Sequence, residues 1–74
     1  MRLKKIIAGE YRTVNPIYGT TFYGYVRINE NDFGTNAIWA YGLCEKDGEI
    51  IDEIMTTDTK AQAFNDLKKF GRVA

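Results

Sequence analysis

The sequence predicts a two-layer α+β domain, in which a four-stranded antiparallel sheet carries one C-terminal helix on one face, in the order β-β-β-β-α. Three observations predict this architecture. The stretch "TFYGYVRI" at positions 21–28 alternates as a strand with one buried face does. Turn residues separate this stretch from the apolar segments before and after it. Near the end of the chain, apolar residues recur at the helical spacings of three and four. A chain of 74 residues is the size of a single domain, 1–74.

The predicted strands are separated by three polar or glycine-containing segments. The strands cover residues 3–14, 20–30, 37–45 and 49–56. The segment "NPIYG", residues 15–19, is predicted as a turn, because Pro16 fixes φ and Gly19 tolerates a positive φ. The segment "NENDFGTN", residues 29–36, is predicted as a polar loop.

The third segment, "EKDG" at residues 45–48, predicts a hairpin with two possible registers. A two-residue turn at 47–48 would place Cys44 opposite Ile51. A type I turn with Gly48 in a bulge would place Leu43 opposite Ile51. The sequence leaves both registers open.

The C-terminal helix is predicted to follow Thr57 or Asp58, because either side-chain oxygen can accept a hydrogen bond from a free amide of the first turn. Its apolar face consists of Ala63, Phe64, Leu67 and Phe70. Lys68 and Lys69 are expected in the last turn, where the helix dipole favours cations. Gly71 is predicted as the residue at which the helix ends.

Alternation divides the second predicted strand between two faces of the sheet. The residues expected under the helix are Phe22, Val26 and Ile28, with Gly24 among them to allow close approach. The residues expected on the open face are Tyr23, Tyr25 and Arg27. One helix covers one face of a sheet, so the open face must contact water or a partner.

The third predicted strand alternates small residues with larger ones. The first set, which suits close packing beneath a helix, is Ile38, Ala40, Gly42 and Cys44. If this set faces the helix, Trp39 and Tyr41 join the tyrosines on the open face. The opposite assignment, with Trp39 in the core, also stays open, because tryptophan contributes much buried area to a small core.

Composition excludes several classes of chemistry. The chain has no histidine and one cysteine, which excludes an intrachain disulfide, a Cys/His zinc site and a His-dependent catalytic pair. Adjacent Asp52 and Glu53 point to opposite faces of a strand, so they predict a solvated edge and not a metal site. Cys44 is expected to be a buried structural thiol. We therefore predict a chain with no catalytic residues, no metal and no small-molecule cofactor.

The sequence shows neither an apolar run long enough for a transmembrane helix nor an apolar segment typical of a signal peptide. These features and the single thiol predict a cytoplasmic protein without a membrane partner. Ten basic residues balance ten acidic residues, so a strong duplex-DNA binder is not expected. The charges are nevertheless uneven. The bases near the N-terminus are Arg2, Lys4, Lys5, Arg12 and Arg27, whereas residues 30–58 carry eight acids and one base.

The segment "YGYVRI" resembles part of the first ribonucleoprotein motif of RNA-recognition domains. Tyr23, Gly24, Tyr25 and Val26 match or nearly match that motif, whereas Thr21, Phe22 and Ile28 depart from it. The resemblance implies that the two tyrosines lie on an open sheet face and stack on bases. The predicted order of elements differs from the βαββαβ order of that family.

Two functions follow as hypotheses. In the first, the chain is a small non-catalytic binding protein whose open face contacts a protein partner or a second copy of itself, for example in a dimer. The residues predicted to bind are Tyr23, Tyr25, Arg27, Trp39 and Tyr41. In the second, Tyr23 and Tyr25 stack on single-stranded nucleic acid, and the N-terminal bases contact its backbone.

Two further expectations belong to the first hypothesis. A small chain of this kind is what a phage or other mobile element encodes to inhibit a host complex such as a CRISPR effector, so an anti-CRISPR-like inhibitor is one form that protein binding can take. If the open face is not the site, the next candidate surfaces are the acidic fourth strand, which carries Glu49, Asp52 and Glu53, and the loop "NENDFGTN" at residues 29–36.

Overall fold

The computed structural model describes residues 1–29 and 38–73. Its elements are β1 (Leu3–Ile7), β2 (Glu10–Thr13), β3 (Tyr23–Asn29), β4 (Ile38–Cys44), β5 (Ile50–Thr57) and α1 (Lys60–Val73). The five strands form one antiparallel sheet in the order β1-β2-β3-β4-β5, and α1 packs against it. The α+β class is therefore confirmed, with five strands where four were predicted. The predicted polar loop at 29–36 lies, apart from Asn29, outside the described residues.

The extra strand arises because the segment predicted as one strand, 3–14, folds back on itself. Gly9 adopts φ +80°, a conformation that L side chains rarely take, and the chain reverses at Ala8 and Gly9. Ile7 then pairs with Glu10, and the register shifts between Lys5 and Ile7. The imperfect apolar alternation of 3–14 reflects this hairpin.

The predicted turn at 15–19 also contributes to the core. Gly19 has φ +80°, and both the amide and the hydroxyl of Thr20 donate hydrogen bonds to the carbonyl of Ile17, at 2.9 and 2.8 Å. Ile17 itself is 2 % exposed and belongs to the core cluster. Sequence reasoning missed this residue, because a single apolar residue inside a turn has no periodicity to identify it.

The hairpin between β4 and β5 uses the type I turn with a glycine bulge. The amide of Gly48 donates to the carbonyl of Glu45 at 2.9 Å, and Gly48 has φ +96°. The amide of Glu45 also donates a hydrogen bond to the carbonyl of Glu49, at 2.8 Å. A second bulge at Ile51 follows, so Leu43 lies opposite Asp52 and neither predicted pair forms.

Helix α1 begins at Lys60, one residue later than a cap at Asp58 predicts and two later than a cap at Thr57 predicts. Thr59, and not Thr57 or Asp58, caps it: the Thr59 hydroxyl accepts a hydrogen bond from the amide of Gln62 at 3.1 Å. The helix also continues through Gly71 to Val73, so Gly71 does not end it. A glycine within a helix costs only about 1 kcal/mol relative to alanine, which the last turn tolerates.

The predicted helix face is confirmed and forms the core with the sheet. Ala63 and Leu67 are fully buried, and Phe64 packs against the same cluster. Gly24 of β3 allows this approach, since a Cβ at Gly24 would lie only 2.8 Å from Leu67 Cδ2. Val26 of β3 is fully buried in the same cluster, as predicted. In the part of the chain that the structure describes, no helix has the length and apolar character needed to cross a membrane.

Candidate functional site

The predicted binding face lies on the side of the sheet that α1 does not cover. Along β3, Tyr23, Tyr25 and Arg27 alternate with Gly24 and Val26, which pack against α1. The structure therefore places the three predicted β3 side chains on one face, opposite α1. Tyr23 and Arg27 are half-buried on that face.

Tyr25 does not project from this face as an accessible recognition side chain. It is only 2 % exposed. Gly42 lies opposite Tyr25 on β4, and the Tyr25 hydroxyl oxygen is 2.9 Å from the position of a Cβ at Gly42. Ala40 and Cys44 are fully buried on the same side of β4. These residues form a small second apolar layer, so the expectation that Tyr25 is available to a partner is wrong.

Two arginines lie beside this second layer. Arg27 Cζ is 5.6 Å from the centroid of the Tyr25 ring, which is a cation–π distance. Arg12 Nη2 lies 3.4 Å from Glu10 Oε2, and the Arg12 guanidinium also fills the space that a Cβ at Gly48 would occupy. Both guanidinium groups thus make contacts within the domain.

Burial changes the titration of two groups in this layer. Burial, followed by the neighbouring charge of Glu53, raises the pKa of Tyr25 to about 12. Among the described residues the Tyr25 hydroxyl has no hydrogen-bond partner. Burial also raises the pKa of the Cys44 thiol, although Arg12 opposes the shift. Cys44 is fully buried, as expected of a structural thiol and not of a nucleophile.

Trp39 and Tyr41 lie on the α1 face of the sheet, and their expected placement on the open face is wrong. Tyr41 is 6 % exposed within the core, and Trp39 packs against the core cluster, with its ring centroid 6.4 Å from that of Tyr11. The physical reason is volume. The space between a sheet and a helix needs large side chains, whereas Gly42 and Ala40 leave room for the Tyr25 ring on the other side.

The predicted small set of β4 therefore faces away from α1, and the assignment with Trp39 in the core is the one the structure adopts. Of the five predicted binding residues, β3 brings three to one face and β4 contributes none. An aromatic surface of several accessible rings does not form on the described part of the sheet. Tyr23 is the one tyrosine among the five that is both half-exposed and opposite α1.

Strand β5 forms an edge of the sheet with an unusual set of exposed side chains. It pairs with β4 on one side, and no described strand pairs with its other side. Ile50, Ile51 and Met55 are 38, 44 and 58 % exposed. Asp52 and Glu53 lie between them and are also exposed, which confirms the predicted solvated edge.

Two bulges interrupt the alternation of β5. Between the pairs Cys44–Ile50 and Leu43–Asp52, Ile51 has no partner on β4. Ile54 is likewise inserted beside Glu53, and it packs against the core while the next residue, Met55, points to solvent. A bulge changes which side chains face the core. The sequence signal was the segment "IIDEIM", residues 50–55, in which apolar and acidic residues occur in pairs and do not alternate as they do in a half-buried strand.

The N-terminal bases do not form a continuous track beside the tyrosines. Lys5 lies opposite Tyr11, on the α1 face, while Arg12 and Arg27 make the internal contacts described above. Lys4 and Arg12 line a cleft of about 160 Å³ together with Tyr23 and Lys46. A second cleft, of about 340 Å³, is lined by residues that include Arg2, Tyr18 and Lys68.

Within residues 1–29 and 38–73, no group of three or more acidic or cysteine side chains is placed to hold a metal ion. Comparison with known proteins gives no match: no protein-family model matches the chain, and no curated protein or solved structure is significantly similar to it.

Proposed function

We propose that this chain is a non-catalytic protein-binding module that adds an extended segment of a partner to the free edge of β5. The observation that carries the proposal is the exposure of three large apolar side chains on a strand whose outer side pairs with no described strand: Ile50, Ile51 and Met55. An edge strand offers unpaired backbone N–H and C=O groups, and alternate side-chain positions beside it supply selectivity.

The length and composition of β5 support this use. With eight residues it is the longest strand that the structure describes, and residues 50–57 include no lysine or proline, the residues that most often protect an edge. The residues first predicted to bind support it less well, because Tyr25, Trp39 and Tyr41 are used to pack the two faces of the sheet. Binding energy at β5 would come from main-chain hydrogen bonds and burial of the exposed apolar groups.

The proposal includes a non-catalytic role in the cytoplasm. It is supported by a sequence without histidine and by the burial of its single thiol. Inhibition of a host complex by a phage- or plasmid-encoded chain is one use of such a module. Under that use, the added strand would belong to a subunit of the inhibited complex.

Site-specific photocrosslinking in the organism that encodes the chain tests the proposal. A benzoylphenylalanine residue is introduced at Ile51 or at Met55, and the matched control carries it at Tyr18, which is 87 % exposed but lies in the turn before β3. We expect discrete protein adducts from both β5 positions and none from the control. Equal adducts from all three positions, or adducts from Tyr18 alone, would contradict the proposal.

Binding of single-stranded nucleic acid is the alternative, and one observation favours it. Lys4, Arg12 and Lys46 converge on a cleft that Tyr23 also lines. A base can stack on Tyr23 while the cations contact phosphate. Stacking on both Tyr23 and Tyr25, as first expected, is not available to this alternative because Tyr25 is buried.

A fluorescent oligothymidine tests the alternative directly. Polarisation should report binding that falls steeply with salt, since each neutralised phosphate releases counterions. Tyr23→Ser and Lys46→Gln should each weaken that binding, and Lys69→Gln, an exposed helix residue away from the cleft, should not. Equal weakening by all three variants, or no binding at low salt, would reject the alternative.

A further inference from the structure

The two outer strands of the described sheet, β1 and β5, form free edges among the described residues, and these edges carry opposite charge. Residues 1–9, which include β1, contain Arg2, Lys4 and Lys5 and no acid. Residues 49–58, which include β5, contain Glu49, Asp52, Glu53 and Asp58 and no base. In a chain with equal numbers of acids and bases, the sheet is therefore polarised from one edge to the other.

Each edge also presents one charge to each face of the sheet. Lys4 pairs with Arg12 and faces away from α1, whereas Lys5 pairs with Tyr11 on the α1 face. On β5, Asp52 lies opposite Leu43 and Glu53 lies opposite Gly42, which places these two acids on opposite faces as well.

The charges on both edges are available to a partner. Lys4, Lys5, Asp52 and Glu53 are all exposed. None of the four takes part in an ion pair within residues 1–29 and 38–73, where Arg12 and Glu10 form the salt bridge. Long side chains reach both directly opposite and diagonal neighbours across strands. Opposite charges can thus meet on both faces of the sheet, whichever way the added strand is oriented.

We propose that the strand added to β5 is β1 of a second copy of this chain, so that copies associate head to tail. This inference rests on the proposed function and names its partner. Contact between two β5 edges would place acid against acid, and contact between two β1 edges would place base against base, and both arrangements are unfavourable. The pairing of β1 with β5 is the one contact between free edges of two copies that brings unlike charges together.

The edges carry apolar surface as well as charge. Ile7 on β1 is 63 % exposed, and Ile50 and Ile51 on β5 are 38 and 44 % exposed. Lysines protect an edge against neutral or basic strands, but they attract an acidic one. A net charge of zero removes the long-range repulsion that would keep copies apart. Contact between two different edges leaves one of each kind free on the pair, so association does not stop at a dimer unless a ring closes.

Sedimentation of the intact chain at low salt gives the first test. The weight-average mass should rise from the monomer value of 8.5 kDa with increasing concentration and continue past the dimer. Moderate salt should weaken association, because the paired charges are exposed and screened. A mass that stays at the monomer value up to millimolar concentration overturns the inference.

Charge reversal gives the sharper test. One variant carries Lys4→Glu and Lys5→Glu, so both of its edges are acidic, and the other carries Asp52→Lys and Glu53→Lys, so both are basic. Each variant alone should associate roughly tenfold or more weakly than the parent. An equimolar mixture should associate again, because the acidic edges of one variant meet the basic edges of the other. Association of either variant at the parent's strength, or no association in the mixture, overturns the inference.

Folding of each variant is checked by its far-UV signal and thermal melt, and Lys4→Gln with Lys5→Gln replaces any variant that does not fold. The neutral variant should also associate more weakly than the parent, and parent-like association would count against the inference. Failure of this inference is distinguishable from failure of the proposed function. If charge reversal has no effect but crosslinks from Ile51 and Met55 identify another protein, β5 still binds strands and the second copy is not its partner.

Discussion

The burial of Tyr25 predicts that the protein loses stability at alkaline pH and that Tyr25→Phe reduces the loss. The pKa of Tyr25 rises from 10.0 to about 12 in the folded state, chiefly through burial. The folded state therefore keeps the proton at a pH where the unfolded chain has released it. Stability from this group is fully present below pH 10 and is lost as the pH rises towards 12.

The magnitude follows from the shift. Each pKa unit corresponds to about 1.4 kcal/mol, so the two units between 10.0 and about 12 correspond to about 3 kcal/mol. About half of that is lost at about pH 11. A domain of this size has a free energy of unfolding of roughly 5 kcal/mol, so the loss is large enough to measure. Burial raises the pKa of Tyr41 as well. Tyr41 is present in the parent and in Tyr25→Phe, so it lowers the stability of both at alkaline pH and does not contribute to the difference between them.

Urea unfolding of the parent and of Tyr25→Phe, measured in parallel between neutral pH and about pH 11, checks this reasoning. At neutral pH we expect the two free energies to agree within about 1 kcal/mol, because phenylalanine keeps the ring and removes a hydroxyl without a described partner. At about pH 11 the parent should have lost about 1.4 kcal/mol more than the variant. Parallel pH profiles would refute the assignment of the shifted group to Tyr25.

Four further predictions concern the packing and the covalent chemistry of the fold. Leu67→Ala should lower the free energy of unfolding in urea by about 3–5 kcal/mol, because Leu67 is fully buried. Asn65 is exposed on the same helix, so the control Asn65→Ala should change this free energy by less than about 0.5 kcal/mol. Superimposable unfolding curves of the two variants would contradict the assigned helix face. Gly24→Ala should cost about 1–3 kcal/mol in the same assay, since the new methyl would lie 2.8 Å from Leu67 Cδ2, and a melt like the parent's would place α1 farther from β3. Gly9→Ala should cost about 1 kcal/mol or more because φ is +80°, and an unchanged midpoint would argue against the β1–β2 turn. EDTA and reductant should leave the melting temperature unchanged, because the sequence has no histidine and a single cysteine, and a large shift with either reagent would contradict this.

The sequence by itself predicted the features that depend on residues close together in the chain: the apolar face of the helix, the turn at 45–48 and the two faces of β3. The spacing of Ala63, Phe64 and Leu67 identified the helix face, because helical periodicity is a property of one short segment. Gly48 indicated a turn at residues 45–48, since the left-handed conformation it adopts favours glycine, but both possible turn types use that glycine and the sequence did not choose between them. Alternation in β3 correctly separated Gly24 and Val26 from Tyr25 and Arg27.

The candidate site was less predictable, because the side chains involved depend on partners far away in the chain. Alternation showed that Trp39 and Tyr41 share a side of β4, but it could not show which side meets α1. That choice depends on the volume available above and below the sheet, and the structure fills the helix side with the large residues.

The tertiary structure alone decided that Tyr25 is buried and that β5 is exposed. The Tyr25 side chain can pack against β4 because Gly42, seventeen positions later in the chain, has no side chain at the position that the Tyr25 hydroxyl approaches. The bulges at Ile51 and Ile54 form where β5 meets β4, and they leave Ile51 exposed while Ile54 packs against the core. Periodicity within one segment records which residues share a face, whereas exposure is fixed by what the other segments place against that face.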